Sequence, residues 1–416
     1  MRIERRRLHS IVMAEEPKPL CSPPLKDLDK PWDPSPIRGL TILITGGASG
    51  FGAAFAREWA KLGATVVIGD VDDEKGEALA KEFQGEGQEE EEAAAEPAKG
   101  ASQAAEKGRI HFLHCDVRSW ESQAALFKEA IRLSPHGGID TVVANAGVAR
   151  PDCLLKPPAR TDPATGAEEP LPPDFLITDV NAVGALYTAH LALFYLPRNP
   201  GSAPATPWTS SSSSSSGSGS GSTSPAAATA GRRDRHLLLV GSVASLMPVA
   251  GLPQYCAAKH ALVGLFRALR LTAAGGGPGV RANMVCPYFV DTPLLTRGAR
   301  LLLAGGALGR VEDVLDAAGR LVAGGGVVGR AVVVGPRGMK GSAGPPGMGV
   351  GAAEGEDAEG EVVECALWEA YADDWEVSEV WNRGVIRMIN RVAAVRGWIG
   401  WAGDLWSAFW ARDSRL

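Results

Sequence analysis

The chain has 416 residues, of which 45% are hydrophobic and 22% charged, so it is long enough for one large domain or two ordinary ones with a sizeable core. Its formal net charge of −6 argues against a nucleic-acid-binding surface. Six cysteines are scattered without a CxxC pair, which is typical of reduced thiols in a cytoplasmic compartment rather than of disulfides or a metal site.

The N-terminal region is rich in proline and charge, and we expect residues 1–36 to form an unstructured arm. It begins with arginines but has no apolar h-region, so it does not predict a secretory signal, whereas an Arg-rich organelle transit peptide stays open. No uncharged apolar run of transmembrane character follows, and we expect a cytoplasmic location.

A buried strand is predicted at residues 40–45 (LTILIT), directly before a glycine-rich turn at residues 45–52 (TGGASGFG). Apolar residues at helical spacing follow this turn. In this setting the glycines let the backbone approach a pyrophosphate, and the helix N-terminus supplies N–H donors and partial positive charge. We therefore predict a nucleotide-binding turn, whose contacting residues are Thr45, Gly46, Ser49, Gly50, Phe51 and Gly52.

The next predicted strand, residues 64–69 (ATVVIG), ends at Asp70. An acidic residue about twenty positions after a glycine turn hydrogen-bonds the adenosine ribose and repels a 2′-phosphate. No Lys or Arg lies within the glycine turn or directly after Asp70, so the sequence favours NAD over NADP. The alternative, that Asp70 only caps the following helix, stays open.

Residues 85–108 are rich in Ala, Glu and Gly without periodicity, which predicts a solvated insertion. The sheet resumes at residues 110–114, and a further strand is predicted at residues 139–144, just before Asn145-Ala146-Gly147. The small residues of this motif permit close approach of backbone and cofactor, and Asn145 can stabilise the central sheet.

Three further segments precede the central motif. Residues 150–173, rich in Pro, Asp and Thr, predict a second loop insertion. Residues 175–195 (FLITDVNAVGALYTAHLALFY) predict a long helix containing Asn181, a residue type that is usually only tolerated inside a helix. Residues 199–234 include the run SSSSSSSGSGSGSTS and predict a flexible surface loop.

The central motif spans residues 237–271 and begins with a short apolar run typical of a buried parallel strand. Ser242 follows, and thirteen residues later a YxxxK motif places Tyr255 and Lys259 on one face of a predicted helix. A nearby ammonium favours phenolate and lowers the pKa of a tyrosine, which suits the proton transfer of alcohol–ketone interconversion. The plain alternative is an ordinary amphipathic helix, because YxxxK alone occurs often by chance.

The remaining core elements are a strand at residues 280–285 and a final strand at residues 329–334. Between them, residues 293–325 predict a mobile substrate lid and a helix over residues 311–321. A Gly/Pro/Glu-rich linker is expected at residues 336–360.

The tail, residues 361–416, contains seven tryptophans, and arginines recur every fourth residue at Arg383, Arg387 and Arg391. This pattern predicts a basic amphipathic helix followed by an aromatic-rich helix. Four roles stay open for it: contact with a membrane or lipid surface, a cover over the substrate pocket, packing against a partner subunit, or docking on its own domain.

In combination and in this order, the glycine turn at residues 45–52, Ser242 and YxxxK at residues 255–259 resemble the short-chain dehydrogenase/reductase family. The resemblance implies an α/β fold with a Rossmann-type, doubly wound parallel sheet of about seven strands in residues 37–335. Loop insertions near the segments named above and a C-terminal helical extension complete the expected architecture.

The resemblance also implies roles for single residues. Tyr255 acts as general base in oxidation and as general acid in reduction, and Lys259 lowers its pKa and binds the nicotinamide ribose. Ser242 orients the substrate hydroxyl, and Asn181 anchors a proton-relay water. Further cofactor contacts fall on residues beside the adenine and the nicotinamide: Asp116, Val117, Asn145, Ala146, Gly147, Pro287, Val290 and Thr292. Two positions depart from the family pattern, since Ala144 stands where Asn is usual and Tyr288 where Gly is usual.

The expected function is therefore an NAD-dependent oxidoreductase that interconverts a small-molecule secondary alcohol and a ketone without a metal, on a lipophilic hydroxy substrate. The resemblance further implies a homo-oligomer paired through the helices that bear Asn181 and Tyr255. Two alternatives stay open: a nucleotide-binding scaffold with little turnover, and a peripheral membrane or lipid-droplet protein that acts through its tail.

Overall fold

Strands and helices alternate through most of the chain in the computed structural model, which describes residues 21–25, 27–93, 108–150, 152–206, 232–272, 277–295, 300, 308–336 and 366–371. The strands are β1 (Thr41–Thr45), β2 (Thr65–Asp70), β3 (Arg109–His114), β4 (Thr141–Ala144), β5 (Ala159–Thr161), β6 (Glu168–Pro170), β7 (His236–Val240), β8 (Arg281–Pro287), β9 (Ala331–Val334) and β10 (Leu367–Ala370). The helices are α1 (Gly50–Lys61), α2 (Asp73–Ala93), α3 (Trp120–Leu133), α4 (Leu176–Arg198), α5 (Pro253–Thr272) and α6 (Val311–Ala323).

Eight of the strands form one sheet in the order β10-β9-β8-β7-β4-β1-β2-β3. All neighbours pair in parallel except β10, which is antiparallel to β9. The chain order reverses between β1 and β4, and in such sheets a crevice opens outside the carboxyl ends of the strands at that point. The predicted α/β, doubly wound fold is confirmed, with the candidate site expected at this edge.

The sheet has a helical layer on each face, which explains why central strands such as β1 are buried along their whole length. On one face, Phe55 and Trp59 of α1 pack near Leu321 of α6. On the other face, Phe127 of α3 and Phe266 of α5 belong to a second apolar cluster that also includes residues of α4. These two layers fix the strand ends, and therefore the side chains that follow them.

Helix α4 is long and apolar enough to cross a membrane by length and composition alone, with a mean hydropathy of 1.2 over its most apolar window. However, 56% of that window is buried inside the domain. Its buried apolar residues pack in the core with residues of α3 and β4, as expected for a core helix.

The prediction of a helix-only tail after residue 361 is wrong at its start, because residues 367–370 form the edge strand β10. The strand is held by a buried ion pair between Glu369 and Arg330, the residue just before β9. The sheet therefore has eight strands rather than about seven, and β9 is not the last. The predicted linker after residue 336, the other tail residues and most of the lid lie outside the described residues.

The N-terminal arm is also shorter than predicted, because the described residues between 21 and 36 pack against the domain. The hydroxyl of Ser22 donates to the carbonyl of Val328 at 3.1 Å, and the backbone N–H of Ser22 donates to the same oxygen at 3.0 Å. The indole of Trp32 lies over Gly319 and donates to Asp316 at 2.7 Å. Contacts with α6 and with the segment before β9 therefore order a stretch that looked unstructured by composition.

Two predicted insertions contain regular structure. Helix α2 continues to Ala93, so the solvated insertion expected from residue 85 begins as helix, in keeping with the helix propensity of its Glu, Gln and Ala residues. In the second insertion, β5 and β6 form an exposed two-stranded antiparallel hairpin. Of the third insertion, most of residues 199–234 lie outside the described part of the chain.

Candidate active site

A cleft of about 1080 Å³ opens at the carboxyl edge of the sheet. Its walls come from the segments that follow β1, β2, β3, β4, β7 and β8, together with α4 and the start of α5. Of the predicted site residues it is lined by Gly46, Ser49, Gly50, Phe51, Asp70, Asp116, Val117, Asn145, Ala146, Gly147, Ser242, Tyr255, Lys259, Pro287, Val290 and Thr292.

The glycine turn after β1 has the shape that a phosphate group needs. Gly46 has a φ of 68°, and a Cβ there would lie 2.6 Å from the Cα of Ala146. Gly50 has a φ of 53°, and a Cβ there would meet nothing within 4 Å, since it faces open space. Helix α1 begins at Gly50 without a side-chain cap from Ser49, which leaves the N–H groups of its first turn for a ligand. The turn therefore fits the pyrophosphate of a dinucleotide.

Asp70, at the tip of β2, braces this turn and faces the cleft. Its Oδ2 accepts the N–H of Ala48 at 2.9 Å, and its Oδ1 accepts the N–H groups of Val71 at 2.8 Å and Asp72 at 3.2 Å. The helix that follows is capped by Asp72, whose carboxylate accepts the N–H of Lys75 at 3.1 Å. The residue that caps this helix is therefore Asp72 and not Asp70, as the alternative interpretation had it.

Three predicted site residues lie behind the cleft wall instead of on it: Thr45, Gly52 and Asn181. The hydroxyl of Thr45 donates to Val143 at 3.3 Å and accepts the N–H of Asn145 at 3.2 Å. Gly52 lets α1 approach the turn, since a Cβ there would lie 2.1 Å from the carbonyl oxygen of Gly46. The sequence predicted Thr45 and Gly52 as cofactor contacts and Asn181 as the anchor of a relay water, because membership of a motif does not distinguish contact from support.

Ser242 follows β7 and opens a short 3₁₀ turn, Val243–Ser245. Its hydroxyl accepts the N–H of Ala244 at 3.1 Å, and its own N–H donates to the hydroxyl of Ser245 at 3.1 Å. This reciprocal capping fixes the Ser242 side chain at the strand end. Ser242 lines the cleft together with Tyr255, which lies in the first turn of α5.

The pKa of Tyr255 is raised, which corrects the expectation that Lys259 would lower it. Burial of the phenol is the main cause of the raised pKa, and the nearby Ser242 side chain opposes it. The amine of Lys259 lies 5.8 Å from the Tyr255 ring centre and donates to the carbonyl of Val240 at 3.0 Å. The rise in the pKa of Tyr255 caused by desolvation of the phenol is therefore larger than any lowering by the amine of Lys259.

Burial also lowers the pKa of Lys259, to about 8 from its ordinary value of 10.5. Because the folded pKa is the lower one, the unfolded chain binds more protons between pH 8 and 10.5. The contribution of this lysine to the unfolding free energy therefore rises as the pH rises through that interval.

We expect the ¹³Cε resonance of Lys259 to titrate near pH 8 in the purified protein. The exposed Lys75 serves as the internal control, because its ion pair with Asp72 raises its pKa above 10.5. The signal near pH 8 should disappear in Lys259→Met. Titration of every lysine above pH 10 would contradict the assignment.

Asn181 lies in a π-helical stretch of α4, Asp179–Gly184, and is fully buried. Its Oδ1 accepts the N–H of Val148 at 2.7 Å, and its Nδ2 donates to the carbonyl of Val148 at 2.9 Å. A Cβ on Gly147 would lie 3.4 Å from Asn181 Oδ1 and 3.6 Å from Lys259 Nζ. Gly147 thus keeps a narrow space between the two polar groups, while the amide fixes the segment after β4. The relay-water role of Asn181 stays a prediction.

The two departures from the family pattern are accommodated locally. Tyr288 does not take the left-handed backbone conformation that would require glycine, and its N–H donates to the carbonyl of Val334 at 2.8 Å. Its ring lines the cleft. Ala144 is a buried residue of β4, and Asn145 beside it supplies the amide that donates to Thr45 at 3.0 Å and Gly46 at 2.8 Å.

Sequence reasoning missed two polar features around the cleft. Arg118 lines the adenine side and forms an ion pair with Asp116 at 2.6 Å; its position directly after Val117 was the available signal. Gln254, just before Tyr255, is held by Asp152, whose carboxylate accepts the Gln254 N–H at 2.6 Å. This second contact joins residues about a hundred positions apart, so no local pattern could indicate it.

Comparison with known proteins gives a consistent result. A family model described as short chain dehydrogenase matches residues 40–95 and 224–300. These two stretches contain the glycine turn, Asp70, Ser242, Tyr255 and Lys259.

Three curated relatives illustrate the range of similar proteins. The chain is 31% identical over 315 residues to 5′-hydroxyaverantin dehydrogenase of Dothistroma septosporum, covering 73% of this chain and 86% of that protein. It is 30% identical over 298 residues to an NADP-dependent dehydrogenase of Cochliobolus lunatus, covering 69% and 85%. It is 28% identical over 263 residues to the NAD(+) 15-hydroxyprostaglandin dehydrogenase of Bos taurus, covering 62% and 71%.

Among solved structures, a short-chain type dehydrogenase/reductase from Mycobacterium marinum superposes with a TM-score of 0.51 at 20% identity. The match covers 71% of this chain and 94% of that one. At this identity the likeness concerns the fold alone, and it agrees with the parallel sheet described above.

Proposed function

Because the chain belongs to the short-chain dehydrogenase family, whose members are oxidoreductases, we propose that it interconverts a secondary alcohol and a ketone with NAD as the cofactor. The observation that carries this proposal is that Ser242, Tyr255 and Lys259 line one cleft together with the glycine turn. When bound there, NAD or NADH supplies the hydride acceptor or donor.

Tyr255 is the residue that moves the proton in this proposal. In reduction its phenol donates to the carbonyl oxygen of the substrate, and in oxidation the phenolate accepts the hydroxyl proton. The raised pKa of Tyr255 favours the protonated, donating form near neutral pH. Ser242 hydrogen-bonds the same substrate oxygen and orients it toward Tyr255.

Lys259, Asn181 and Thr292 hold the groups around this centre. The ammonium of Lys259 binds the nicotinamide ribose, and Thr292, buried at the cleft wall, hydrogen-bonds the nicotinamide carboxamide. Asn181 fixes the segment that carries Gly147, and a water in the space between Asn181 and Lys259 passes protons toward the cleft.

The substrate half of the cleft supports a lipophilic hydroxy compound. Its walls include the apolar side chains of Leu176, Val180, Val249 and Leu252. The names of the fungal and bovine relatives likewise refer to hydroxy compounds, 5′-hydroxyaverantin and 15-hydroxyprostaglandin. Burying apolar surface of such a substrate stabilises the complex by roughly 25 cal/mol per Å².

The choice of NAD rests on the negative charge of Asp70. Its carboxylate already accepts three backbone N–H groups at the tip of β2, so it stays fixed beside the position of the adenosine ribose. A 2′-phosphate on that ribose would be repelled. Relatives of both NAD and NADP type are among the similar proteins, so the charge of Asp70, and not the family, supports the choice of NAD.

We expect the protein to bind NADH at least about tenfold more tightly than NADPH, since repulsion of about 1.4 kcal/mol gives that ratio. Asp70→Asn keeps a hydrogen-bond acceptor and removes the charge, so the ratio should fall toward one. Asp73→Asn is the matched control, because Asp73 is exposed and pairs with His114. Both affinities are measured by fluorescence titration. Tighter binding of NADPH by the unsubstituted protein would contradict the proposal.

We propose a homo-oligomer paired through the outer faces of α4 and α5. The exposed apolar residues Leu186 and Phe194, which are 48% and 47% exposed, lie on that face of α4. Burial of such residues against a second copy is favourable. Sedimentation velocity of the purified chain tests the proposal, and a monomer at micromolar concentration would contradict it.

A reducing, cytoplasmic compartment is also a proposal. It is supported by Cys115, Cys153, Cys256 and Cys286, which are free thiols in the described part of the chain. Thiol labelling of the protein as isolated from its native cells tests it, and the finding of a native disulfide would contradict it.

A further inference from the structure

The position of Tyr288 is fixed by the sheet at the point where a substrate would approach the reacting groups. Strand β8 pairs with β7 up to Val285 and Val240, so the segments that follow carry Tyr288 and Ser242 out of neighbouring strands at the same edge. The N–H of Tyr288 is tied to the carbonyl of Val334 on the other neighbour, β9. The backbone of Tyr288 is therefore fixed by a hydrogen bond to the sheet, and the position of its side chain is not set by a mobile loop.

The ring of Tyr288 has a rigid aromatic partner. It meets the ring of Phe289 edge to face, with the ring centres 4.9 Å apart and the planes at 84°. Both residues line the cleft. Such an aromatic pair is more stabilising than the burial of its apolar area alone, and it restrains the orientation of both rings.

The rest of this half of the cleft is apolar around Tyr255. Val249 and Leu252, just before α5, pack in a small cluster with Tyr255, and both line the cleft. Arg150 is the charged residue here, and it is engaged in an ion pair with Asp174. In this half of the cleft, the described aromatic wall residues besides Tyr255 are therefore Tyr288 and Phe289.

We propose that Tyr288 is a specificity-determining residue, whose ring selects a ketone or secondary alcohol flanked by a planar aromatic or conjugated group. This inference rests on the proposed function, because it assigns the substrate class of the same cleft. A planar group can contact the ring of Tyr288 over its whole face. A saturated ring with the same number of carbons is puckered and makes a smaller contact area with the ring. Glycine at position 288, as is usual in the family, would offer no such wall.

The test compares the binding of two probes to the full-length protein loaded with NADH. The probes are 2-acetonaphthone and its fully saturated counterpart, which share a carbon skeleton and differ in planarity. Affinities are measured by isothermal titration calorimetry for the unsubstituted protein, Tyr288→Phe, Tyr288→Leu and Tyr288→Gly.

We expect the unsubstituted protein and Tyr288→Phe to prefer the naphthyl ketone. Tyr288→Leu, which keeps bulk but not planarity, should lose about three- to tenfold of that preference, and Tyr288→Gly at least as much. Equal binding of the probes, binding of neither, or an unchanged preference in both Tyr288→Leu and Tyr288→Gly would overturn the inference. Oxidation of NADH is followed separately. A Tyr288-dependent preference without turnover would contradict the proposed function while the assignment of the wall stands.

Discussion

Replacement of Tyr255 by Phe is expected to lower the rate of alcohol oxidation by about 10²- to 10⁴-fold, the range for loss of a positioned acid–base group. The substitution removes the phenolic oxygen that moves the proton in the proposed reaction and leaves the buried ring in place. The affinity for NADH should stay within about twofold, because a twofold change is below 0.5 kcal/mol. Initial rates at saturating NAD and fluorescence titration of NADH measure the two quantities.

The matched control for this variant is Tyr195→Phe. Tyr195 lies on α4, stacked on Phe127 at 5.6 Å between ring centres, away from the cleft. Its loss of a hydroxyl should leave the oxidation rate within about twofold, a change of less than 0.5 kcal/mol. Retention of full activity in Tyr255→Phe would show that another group moves the proton.

Replacement of Glu369 by Gln is expected to lower the unfolding free energy by about 3–5 kcal/mol, the cost of breaking a buried ion pair. Glu369 of β10 pairs with Arg330, the residue just before β9, and both side chains are buried. Its other oxygen accepts the N–H of Leu25 at 2.7 Å, while Arg330 donates to the carbonyl of Ser22 at 3.2 Å. This one pair therefore holds the edge strand and the N-terminal segment together.

Equilibrium urea denaturation measures the effect, and Glu129→Gln is the matched control. Glu129 forms an exposed ion pair with Arg132 on α3, so its replacement should cost no more than about 1 kcal/mol. Equal effects of the two substitutions would contradict the description of β10 as a docked edge strand.

The parts of the site that the sequence predicted are those encoded locally. The glycine turn, Asp70 and the Ser242–Tyr255–Lys259 spacing each lie within a strand and the segment that follows it. The local sequence pattern therefore predicts both the strand or helix and the functional side chain that it positions. The π-helical stretch around Asn181 agrees with the predicted helix, although its backbone pairing could not be read from composition.

The parts that the sequence did not predict depend on contacts between distant segments. Strand β10 is short and polar at Glu369, and it is held by the ion pair of Glu369 with Arg330, the residue just before β9. Residue Trp32 belongs to a proline-rich segment, yet it finds space over Gly319. The direction of the Tyr255 pKa shift was also mispredicted, because the spacing of a tyrosine and a lysine gives their proximity but not the depth of their burial.

The central claim is that this cleft moves a hydride between an alcohol carbon and NAD while Tyr255 moves the proton. Its most direct test supplies the full-length protein with NAD and secondary alcohols that carry deuterium on the carbinol carbon, followed by mass spectrometry of the cofactor. We expect deuterium in the reduced cofactor with the unsubstituted protein and a strongly reduced yield with Tyr255→Phe. NAD that is bound but never reduced would contradict the account and favour a nucleotide-binding scaffold, and deuterium transfer at an equal rate in Tyr255→Phe would contradict the role of Tyr255.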